Sequence, residues 1–330
     1  YFHPSEIEQG QSVLTDWIRR VYEEVKDSGP DRHLIIRIPA SISGCESVGM
    51  DVRTWINEGI VDAFVGQTFS GPELINSNAD YTELVQAASG SNCKVIGAIQ
   101  SHVDSDRLSE GPISMTRACA TNYWAQGVDG LYLAHWFNLW PYEADFYERL
   151  RELSHPDIMA PRDKFYFVPT ITGSYPDPPL EPGMSMELSQ ELAEGETVDV
   201  NLTISDDLPR WGKVGRVHDV ILRFRLMSTT EIDRVSFYLN GVELPQRCLR
   251  KINEMYKMAR PRYRAGSAYW FVFHLDENHW PVKGSNAISV TLHERDKMVA
   301  MPVKVRDIEL ETRYLKGKNY HRAFVDDDLG

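Results

Sequence analysis

His33-Leu-Ile-Ile-Arg-Ile-Pro39 is the first of four short apolar runs, each followed by a stretch with the residue pattern of a helix. The other runs are Ile60-Val-Asp-Ala-Phe-Val65, Lys94-Val-Ile-Gly-Ala-Ile-Gln100 and Gly130-Leu-Tyr-Leu-Ala-His135. They recur roughly every 30 residues, the spacing of a strand and its crossover helix. Strands that alternate with helices predict a parallel sheet covered by helices. Four such units amount to half of an eight-stranded (β/α)₈ barrel, which we assign to residues 1–160.

Capping residues predict where the helices of this region begin and end. Asp51 is suited to cap a helix over 52–58, and Gly59 is suited to end it. Gly127 is expected to end the helix that follows the third apolar run. A helix over 11–27 precedes the first strand, with apolar residues at spacings of three and four. We expect that helix to belong to an earlier βα unit.

The residue pattern changes in the second half of the chain. Proline is frequent over 161–185, which predicts a linker that cannot form a helix. Apolar and polar residues then alternate over 186–311, with turn residues between the runs, as is typical of an antiparallel β-sandwich. Within this region Asn240-Gly241 predicts a hairpin turn. The segment 312–330 is polar and is expected to lie on the surface as a tail.

Composition limits the classes of partner. The formal net charge of -13 argues against nucleic acid or anionic membrane, because basic surface binds both. Four widely spaced cysteines without a Cys-x-x-Cys pair argue against a disulfide scaffold and a metal site, and no cofactor motif occurs. No apolar run approaches the roughly 20 residues of a membrane span. A removed signal peptide, or a missing upstream half, would account for the start at Tyr1; the first favours a secreted or periplasmic location over a cytoplasmic one.

Polar and aromatic residues follow the predicted strands, where βα barrels carry their working side chains. These residues are Arg37, Gln67, Gln100, His102, Asp104, His135, Trp136 and Trp140. Aromatic rings stack on the apolar side of a pyranose, while Arg, Gln and His bond its hydroxyls, so the set favours a carbohydrate ligand. The expected substrate-binding residues are Arg37, Gln67, Gln100, Trp136 and Trp140.

Catalytic candidates are fewer, because none of the four strands ends in Asp or Glu. Glycoside hydrolysis usually needs two carboxylates about 5–10 Å apart. Asp104 is the best local candidate, with His102 or His135 assisting as acid or base. Plainer interpretations stay open: Asp104 as a helix cap or a solvated acid, the histidines as buried groups bonded to backbone, and the tryptophans as half-buried packing. Arg37 could equally pair with a structural carboxylate.

Two stretches resemble a known family. Gly49-Met-Asp-Val-Arg-Thr-Trp-Ile-Asn-Glu-Gly-Ile-Val-Asp62 and Asn122-Tyr-Trp-Ala-Gln-Gly-Val-Asp-Gly-Leu-Tyr-Leu133 are similar to the C-terminal half of bacterial glycoside-hydrolase-like barrel proteins, most of them uncharacterised. In that family a (β/α)₈ barrel is followed by a β-sandwich, of which the Leu239-Asn-Gly-Val242 turn is typical. The resemblance implies that residues 33–135 correspond to the fifth to eighth barrel strands.

The resemblance also implies a chemistry and a gap in it. In many retaining barrel glycosidases the acid/base is a Glu after the fourth strand and the nucleophile a Glu after the seventh. The matching end of the seventh strand carries Gln100 here. We therefore expect a carbohydrate-active protein that hydrolyses O-glycosyl bonds only if another segment or chain supplies a carboxylate. The alternative is a non-catalytic carbohydrate-binding or structural subunit. Because a half barrel exposes two sheet edges, it would be completed by an N-terminal barrel-half polypeptide or by a second copy.

Overall fold

A computed structural model describes residues 4–68, 75–101, 111–134, 144–170, 187–253 and 268–315. Its α-helices are α1 Ile7–Ser28, α2 Ile42–Ser47, α3 Val52–Glu58, α4 Thr82–Ala88, α5 Ile113–Gln126, α6 Ala144–Glu152, α7 Pro156–Met159 and α8 Leu208–Lys213. Its strands are β1 Ile35–Pro39, β2 Ala63–Gln67, β3 Lys94–Ile99, β4 Gly130–Leu133, β5 Lys164–Phe167, β6 Gln190–Leu192, β7 Thr197–Ile204, β8 Val217–Met227, β9 Arg234–Leu239, β10 Val242–Glu243, β11 Leu249–Asn253, β12 Ala268–His274, β13 Gly284–Glu294 and β14 Val303–Tyr314. Helices and strands therefore alternate up to α7, and strands predominate from β5 onward.

The first four strands form a parallel sheet in the order β1-β2-β3-β4. Ile36 lies opposite Phe64, and Phe64 lies opposite Val95, so the strands are in register across the sheet. This arrangement confirms the parallel sheet with intervening helices that the four apolar runs predict. The sheet fits part of a barrel. β2 runs over Ala63–Gln67 and so ends two residues beyond the apolar run 60–65.

The predicted caps shape the helices of this region. Asp51 caps α3, since its carboxylate accepts a hydrogen bond from the Thr54 amide at 3.1 Å. Gly59 and Gly127 end α3 and α5 in the left-handed conformation, with φ of 66° and 90°. Each helix is thereby turned back toward the next strand. None of the helices in the described ranges is both long and apolar enough to span a membrane.

Two elements form where the composition predicts irregular chain. Helix α2 lies in the stretch 40–49 after β1, where three serines and two glycines favour a loop. The Ser41 hydroxyl accepts a hydrogen bond from the Gly44 amide at 3.1 Å, and this cap compensates for weak helix formers. Strand β5 lies inside the predicted linker 161–185, where Tyr166 is fully buried opposite Leu310 of β14. Burial and pairing with β14 thus override the composition of that stretch.

The remaining strands form two antiparallel sheets. One has the order β10-β9-β13-β7, and the other has the order β11-β12-β8-β14-β5, with β6 also paired to β14. Buried side chains from both sheets form one apolar cluster. The ring of Phe237 in the first sheet lies 4.6 Å from that of Phe224 and 5.4 Å from that of Phe273, both in the second. Aromatic contacts between the sheets thus fill the interior of this region.

The Asn240-Gly241 turn joins β9 to β10 as the sequence predicts. Both residues have positive φ, 51° for Asn240 and 77° for Gly241. Leu239 then pairs with Val242 across the two-residue turn. Positive φ at both central positions matches the right-handed twist of the flanking strands.

One asparagine ties the parallel-sheet region to the antiparallel sheets. The Asn122 amide on α5 donates to the Ser77 carbonyl at 2.7 Å and to the Thr203 carbonyl of β7 at 2.8 Å. Ser77 in turn exchanges hydrogen bonds with the backbone of Phe167 on β5. Asn122 itself is 1% exposed, so these bonds are shielded from water and fix α5 against both regions.

Candidate functional site

The parallel sheet presents two faces of different character. Cross-strand neighbours in a parallel sheet share a face, and alternate residues along a strand change face. Phe64 and Val95 lie on the face that packs against the helices, which we call the helix face. Arg37, Val65 and Ile96 lie opposite one another on the other face. This second face, the Arg37 face, comprises Arg37, Val65, Gln67, Ile96, Ala98, Gln100 and Tyr132.

A hydrogen-bonded pair joins Arg37, the middle residue of β1, to Gln67, the last residue of β2. The Arg37 side chain donates from Nε to the Gln67 Oε1 at 3.1 Å, and its Nη2 donates to the same oxygen. Gln67 is only 6% exposed, whereas Arg37 is exposed. The buried amide therefore orients the guanidinium without neutralising its charge. Guanidinium N–H groups beyond these two bonds can donate to a ligand.

Gln100 and Tyr132 continue the same face toward β4. Gln100 follows β3 directly and is 1% exposed. Tyr132 lies opposite Ala98 in the register of β3 and β4 and is 39% exposed. Tyr132 is not among the residues predicted from the sequence. The alternation of Leu131, Tyr132 and Leu133 within a four-residue strand nevertheless places it on the face opposite its neighbours. The Arg37 face thus adds an aromatic ring to the predicted polar set.

Two buried tyrosines support the ends of β2 and β3 from the helix face. The Tyr81 hydroxyl donates to the Gly66 carbonyl at 2.9 Å, and a Cβ on Gly66 would lie 2.6 Å from the ring. A Cβ on Gly97 would lie 2.7 Å from the ring of Tyr123. The two rings contact each other edge to face, with centroids 4.8 Å apart. The Tyr81 ring packs directly on the backbone at Gly66, which has no side chain, and this contact fixes the strand that carries Gln67.

The remaining sequence candidates cannot be placed on this site. His102, Asp104, His135, Trp136 and Trp140 lie outside the described residues, so their catalytic and binding roles stay predictions. Among the residues named for the Arg37 face none is a carboxylate. A carboxylate at this site must therefore come from elsewhere.

Among the described residues the structure shows neither a reactive cysteine nor a cluster of metal-ligating side chains at this site. Burial raises the pKa of the Cys45 and Cys93 thiols to about 12, and it raises that of Cys119 as well. Such thiols are protonated at neutral pH and are poor nucleophiles. Within the described ranges, His, Cys, Asp and Glu side chains form no group of three or more that could hold a metal ion.

Comparisons with known proteins find only weak similarity. No protein-family model and no curated protein matches the sequence. Two structures of BuGH86 in complex with neoagarooctaose are similar over 47% of this chain and 19% of that chain, at 10% identity and a TM-score of 0.27. The Paenibacillus sp. cycloisomaltooligosaccharide glucanotransferase complexed with cycloisomaltoheptaose is similar over 89% and 37%, at 11% identity and a TM-score of 0.23. A two-domain esterase (CEX) active on acetylated mannans is similar over 84% and 79%, at 8% identity and a TM-score of 0.23.

All three of these proteins are carbohydrate-active. At such TM-scores, however, the likeness carries no argument about the fold or the function of this chain. The chain also spans only 19% of BuGH86 and 37% of the glucanotransferase. The chain is thus only weakly similar to carbohydrate-active proteins.

Proposed function

We propose that the chain is a carbohydrate-active, glycoside-hydrolase-like protein that binds a poly- or oligosaccharide on the Arg37 face. The observation that carries the proposal is the Arg37–Gln67 pair, in which a buried amide at the carboxyl end of β2 holds a charged guanidinium. Tyr132 offers a half-exposed ring on the same face. Arg37 on β1 and Tyr132 on β4 lie on the two outer strands of the sheet, about 14 Å apart at the usual strand spacing, so they suit different residues of one oligosaccharide. Hydroxyls of one residue would accept from the guanidinium, and the apolar face of another would stack on the ring.

The proposal includes an architecture. The parallel sheet is taken as the fifth to eighth strands of a (β/α)₈ barrel within 1–160, and the antiparallel sheets as a β-sandwich within 186–311. The parallel register of β1 to β4 and the aromatic contacts between the antiparallel sheets support it. In barrels of this kind ligands bind at the carboxyl ends of the strands, where Gln67 lies and bonds Arg37. A location outside the cytoplasm, secreted or periplasmic, belongs to the same proposal.

For hydrolysis we assign the acid role to Asp104, assisted by His102 or His135. Trp136 and Trp140 would add stacking surfaces. No carboxylate belongs to the named residues of the Arg37 face, so the second acid is assigned to a completing polypeptide. A separation of about 5–5.5 Å between the two carboxyl groups would retain the anomeric configuration, and a larger one would invert it.

A glycan panel tests this function. The chain is incubated with neutral and acidic oligosaccharides, alone and with any polypeptide that co-purifies with it, and binding and hydrolysis are measured. We expect Arg37→Ala to raise the Kd by about tenfold or more, since hydrogen bonds from charged groups contribute about 1.5–3 kcal/mol. Arg53→Ala is the matched control, because Arg53 forms an exposed ion pair with Glu83 on the outer helices. Absence of binding and of hydrolysis in every arm would refute the proposal.

A second candidate function, an assembly subunit, is favoured by an exposed apolar surface beside β1. Within the described residues β1 is an edge of the parallel sheet, and its Ile35 is 55% exposed. On α1 the predicted apolar stripe is open in part, since Trp17 is 54% exposed beside a groove of about 400 Å³ that Val21 and Val25 also line. An unpaired edge strand can pair with another strand, and exposed apolar side chains on α1 can pack against another helix. The occupant we assign is an N-terminal barrel half that continues the sheet beyond β1.

Light scattering and co-purification test the assembly. We expect a complex with a polypeptide that carries further βα units, and we expect Trp17→Arg to weaken it. Ile232→Arg is the control, because Ile232 is 68% exposed in the antiparallel region. A stable monomer that binds no such polypeptide contradicts this assignment, and so does a symmetric dimer of the chain alone.

A further inference from the structure

A second cleft lies at the seam between the parallel-sheet region and the antiparallel sheets. Its volume is about 330 Å³, and α5, α7, α8 and the turn before β13 build its walls. It adjoins the last turns of α5, near Trp124. Since α5 leads by Gly127 into the start of β4, these turns lie at the amino end of the parallel strands. The cleft is therefore at the amino end of the parallel strands, whereas Gln67 lies at their carboxyl end.

Two tryptophans in the lining are held in fixed orientations. The Trp124 indole donates from Nε1 to the Leu153 carbonyl at 2.7 Å. The Trp211 ring meets the ring of Tyr314 edge to face, with centroids 6.5 Å apart. The Arg210 guanidinium lies 5.1 Å from the centre of the Trp211 ring. Both indoles are only partly buried, so the cleft presents ordered aromatic surface to solvent.

The back of the cleft is a buried ion pair with its hydrogen-bonding capacity used internally. Lys164 donates to Asp206 at 2.7 Å and to the carbonyls of Ala160 and Arg162 at 3.0 and 3.1 Å. The carboxylate also accepts the hydroxyls of Tyr166, Thr312 and Tyr314, at 3.0, 3.0 and 2.8 Å. Lys164 and Asp206 are 1% and 3% exposed. They form a rigid wall rather than a reactive pair.

The rim of the cleft carries the groups that can meet a ligand. Asp157 and Lys283 are exposed there, together with Arg210 and the half-buried Asp207. Over the whole lining, three carboxylates balance three cationic side chains. A lining without net charge favours a neutral ligand, and this contrasts with the chain's net charge of -13. The volume of the cleft, about 330 Å³, falls within the ~300–1,000 Å³ that is usual for small-molecule sites.

We propose that this seam cleft binds a neutral sugar residue of a glycan, independently of the Arg37 face. The two ordered indoles provide the apolar surface, and the mixed acidic and basic rim provides both acceptors and donors for hydroxyls. The choice of a sugar over another neutral ligand rests on the proposed carbohydrate function. A sugar site in the seam cleft would bind one part of a polysaccharide while the Arg37 face binds another part of the same polysaccharide.

Calorimetric titration and saturation-transfer NMR test the seam cleft on the full chain. The probes are neutral gluco-, galacto- and manno-oligosaccharides, with a galacturonate oligomer as the charged comparison. We expect Trp211→Ala to raise the Kd of the preferred neutral oligosaccharide by about tenfold. Because Trp211 also packs on the core, the rim variants Asp157→Asn and Lys283→Gln serve as a second measure. Each is expected to raise the Kd by about two- to fivefold.

Ile232→Ala removes an exposed apolar side chain that lines neither the cleft nor the α1 groove, and it is the control. Binding that survives Trp211→Ala and both rim variants overturns the cleft assignment, and so does preference for the galacturonate oligomer. Loss of binding in Arg37→Ala alone would overturn the cleft while leaving the proposed strand-end site intact. Loss in the cleft variants alone would support the cleft and count against the Arg37 face. Failure of every neutral oligosaccharide to bind would overturn the cleft, whereas the strand-end site is refuted only if the acidic oligosaccharides fail to bind as well.

Discussion

Arg37 in the parallel sheet and Arg225 in the antiparallel sheet are held by different kinds of partner. Arg37 is exposed and bonded to the neutral amide of Gln67. Arg225 is 3% exposed and faces the carboxylate of Asp307, with Nη1 and Oδ2 3.2 Å apart. An amide orients a guanidinium and leaves its charge for a ligand, whereas a carboxylate cancels that charge within the fold. The charge of Arg37 is thus open to a ligand, whereas that of Arg225 is balanced within the fold.

The same contrast extends along the outer face of the antiparallel sheet. Arg223 pairs with Glu311, which also accepts hydrogen bonds from Arg313. Arg306 bonds the carboxylate of Asp307 at 3.1 Å. In these pairs every arginine meets an acid on the same sheet, so charges that would otherwise attract ligands are balanced in place.

The largest expected effect lies in the architectural group. Asp206→Ala removes the carboxylate that accepts from Lys164, and the ammonium stays buried without its counter-ion. We expect the free energy of unfolding to fall by about 3–5 kcal/mol. Urea denaturation measures this. Asp199→Ala, an exposed acid on β7, is the control and should change stability by less than about 0.5 kcal/mol. A loss below about 1 kcal/mol for Asp206→Ala would contradict the assignment.

A direct comparison of the two arginines comes next. Arg225→Ala leaves the Asp307 carboxylate, 7% exposed, without one of its cationic partners, and we expect a loss of about 3 kcal/mol. Arg37→Ala removes a charged donor from the neutral Gln67 oxygen and leaves no buried charge behind, so it should cost only about 1 kcal/mol. Equilibrium unfolding of both variants decides between the roles. If the two losses are equal, Arg37 is structural and the contrast fails.

A packing change at Gly97 tests whether the buried tyrosines support the parallel strands. Gly97→Ala places a methyl 2.7 Å from the ring of Tyr123, so the ring or β3 must shift. We expect a loss of about 1–3 kcal/mol in the free energy of unfolding. Gly130→Ala is the matched control on β4, because its Cβ would meet nothing nearer than 3.8 Å. Equal free energies of unfolding for the two variants in urea would show that Tyr123 does not pack tightly against β3.

The smallest effect concerns a surface carboxylate. Hydrogen bonds from His279 and then Arg247 hold the pKa of Asp276 at about 2, below its ordinary value of 3.8. Its contribution to stability is therefore complete above about pH 4 and is lost as the pH falls toward 2. The melting temperature of the protein should exceed that of Asp276→Asn at pH 6, and the gap should close below pH 4. A gap that is constant with pH, as expected for Asp199→Asn, would refute the assignment.

The parallel sheet is predictable because its signal is local. A strand covered by helices is apolar on both faces, and β2, with all five residues buried, shows this most clearly. Arg37, Gln67 and Gln100 are predictable for the same reason, since strand ends and a period of two place them on one face. Helix α2 is not, because its start depends on one hydrogen bond from the Gly44 amide to the Ser41 hydroxyl, in a stretch whose composition favours a loop.

Contacts between distant residues are beyond such reasoning. Lys164 and Asp206 are 42 residues apart in sequence and meet only when β5 joins the antiparallel sheet. The residues next to Lys164 in the sequence do not indicate that its partner is the buried Asp206. The seam cleft depends on the same assembly, since α5 and α8 are separated by more than 80 residues. Binding surfaces built between regions therefore emerge only with the fold.

Strand β5 precedes 171–186 in the chain but pairs with β14, the last strand described. A cut within 171–186 would therefore separate two pieces that still share a sheet. The N-terminal piece would carry a strand whose backbone partners lie on the other piece. Co-expressed, the pieces have a specific means of finding each other, so this protein is suited to a split reporter whose reassembly reads out as restored pairing between β5 and β14.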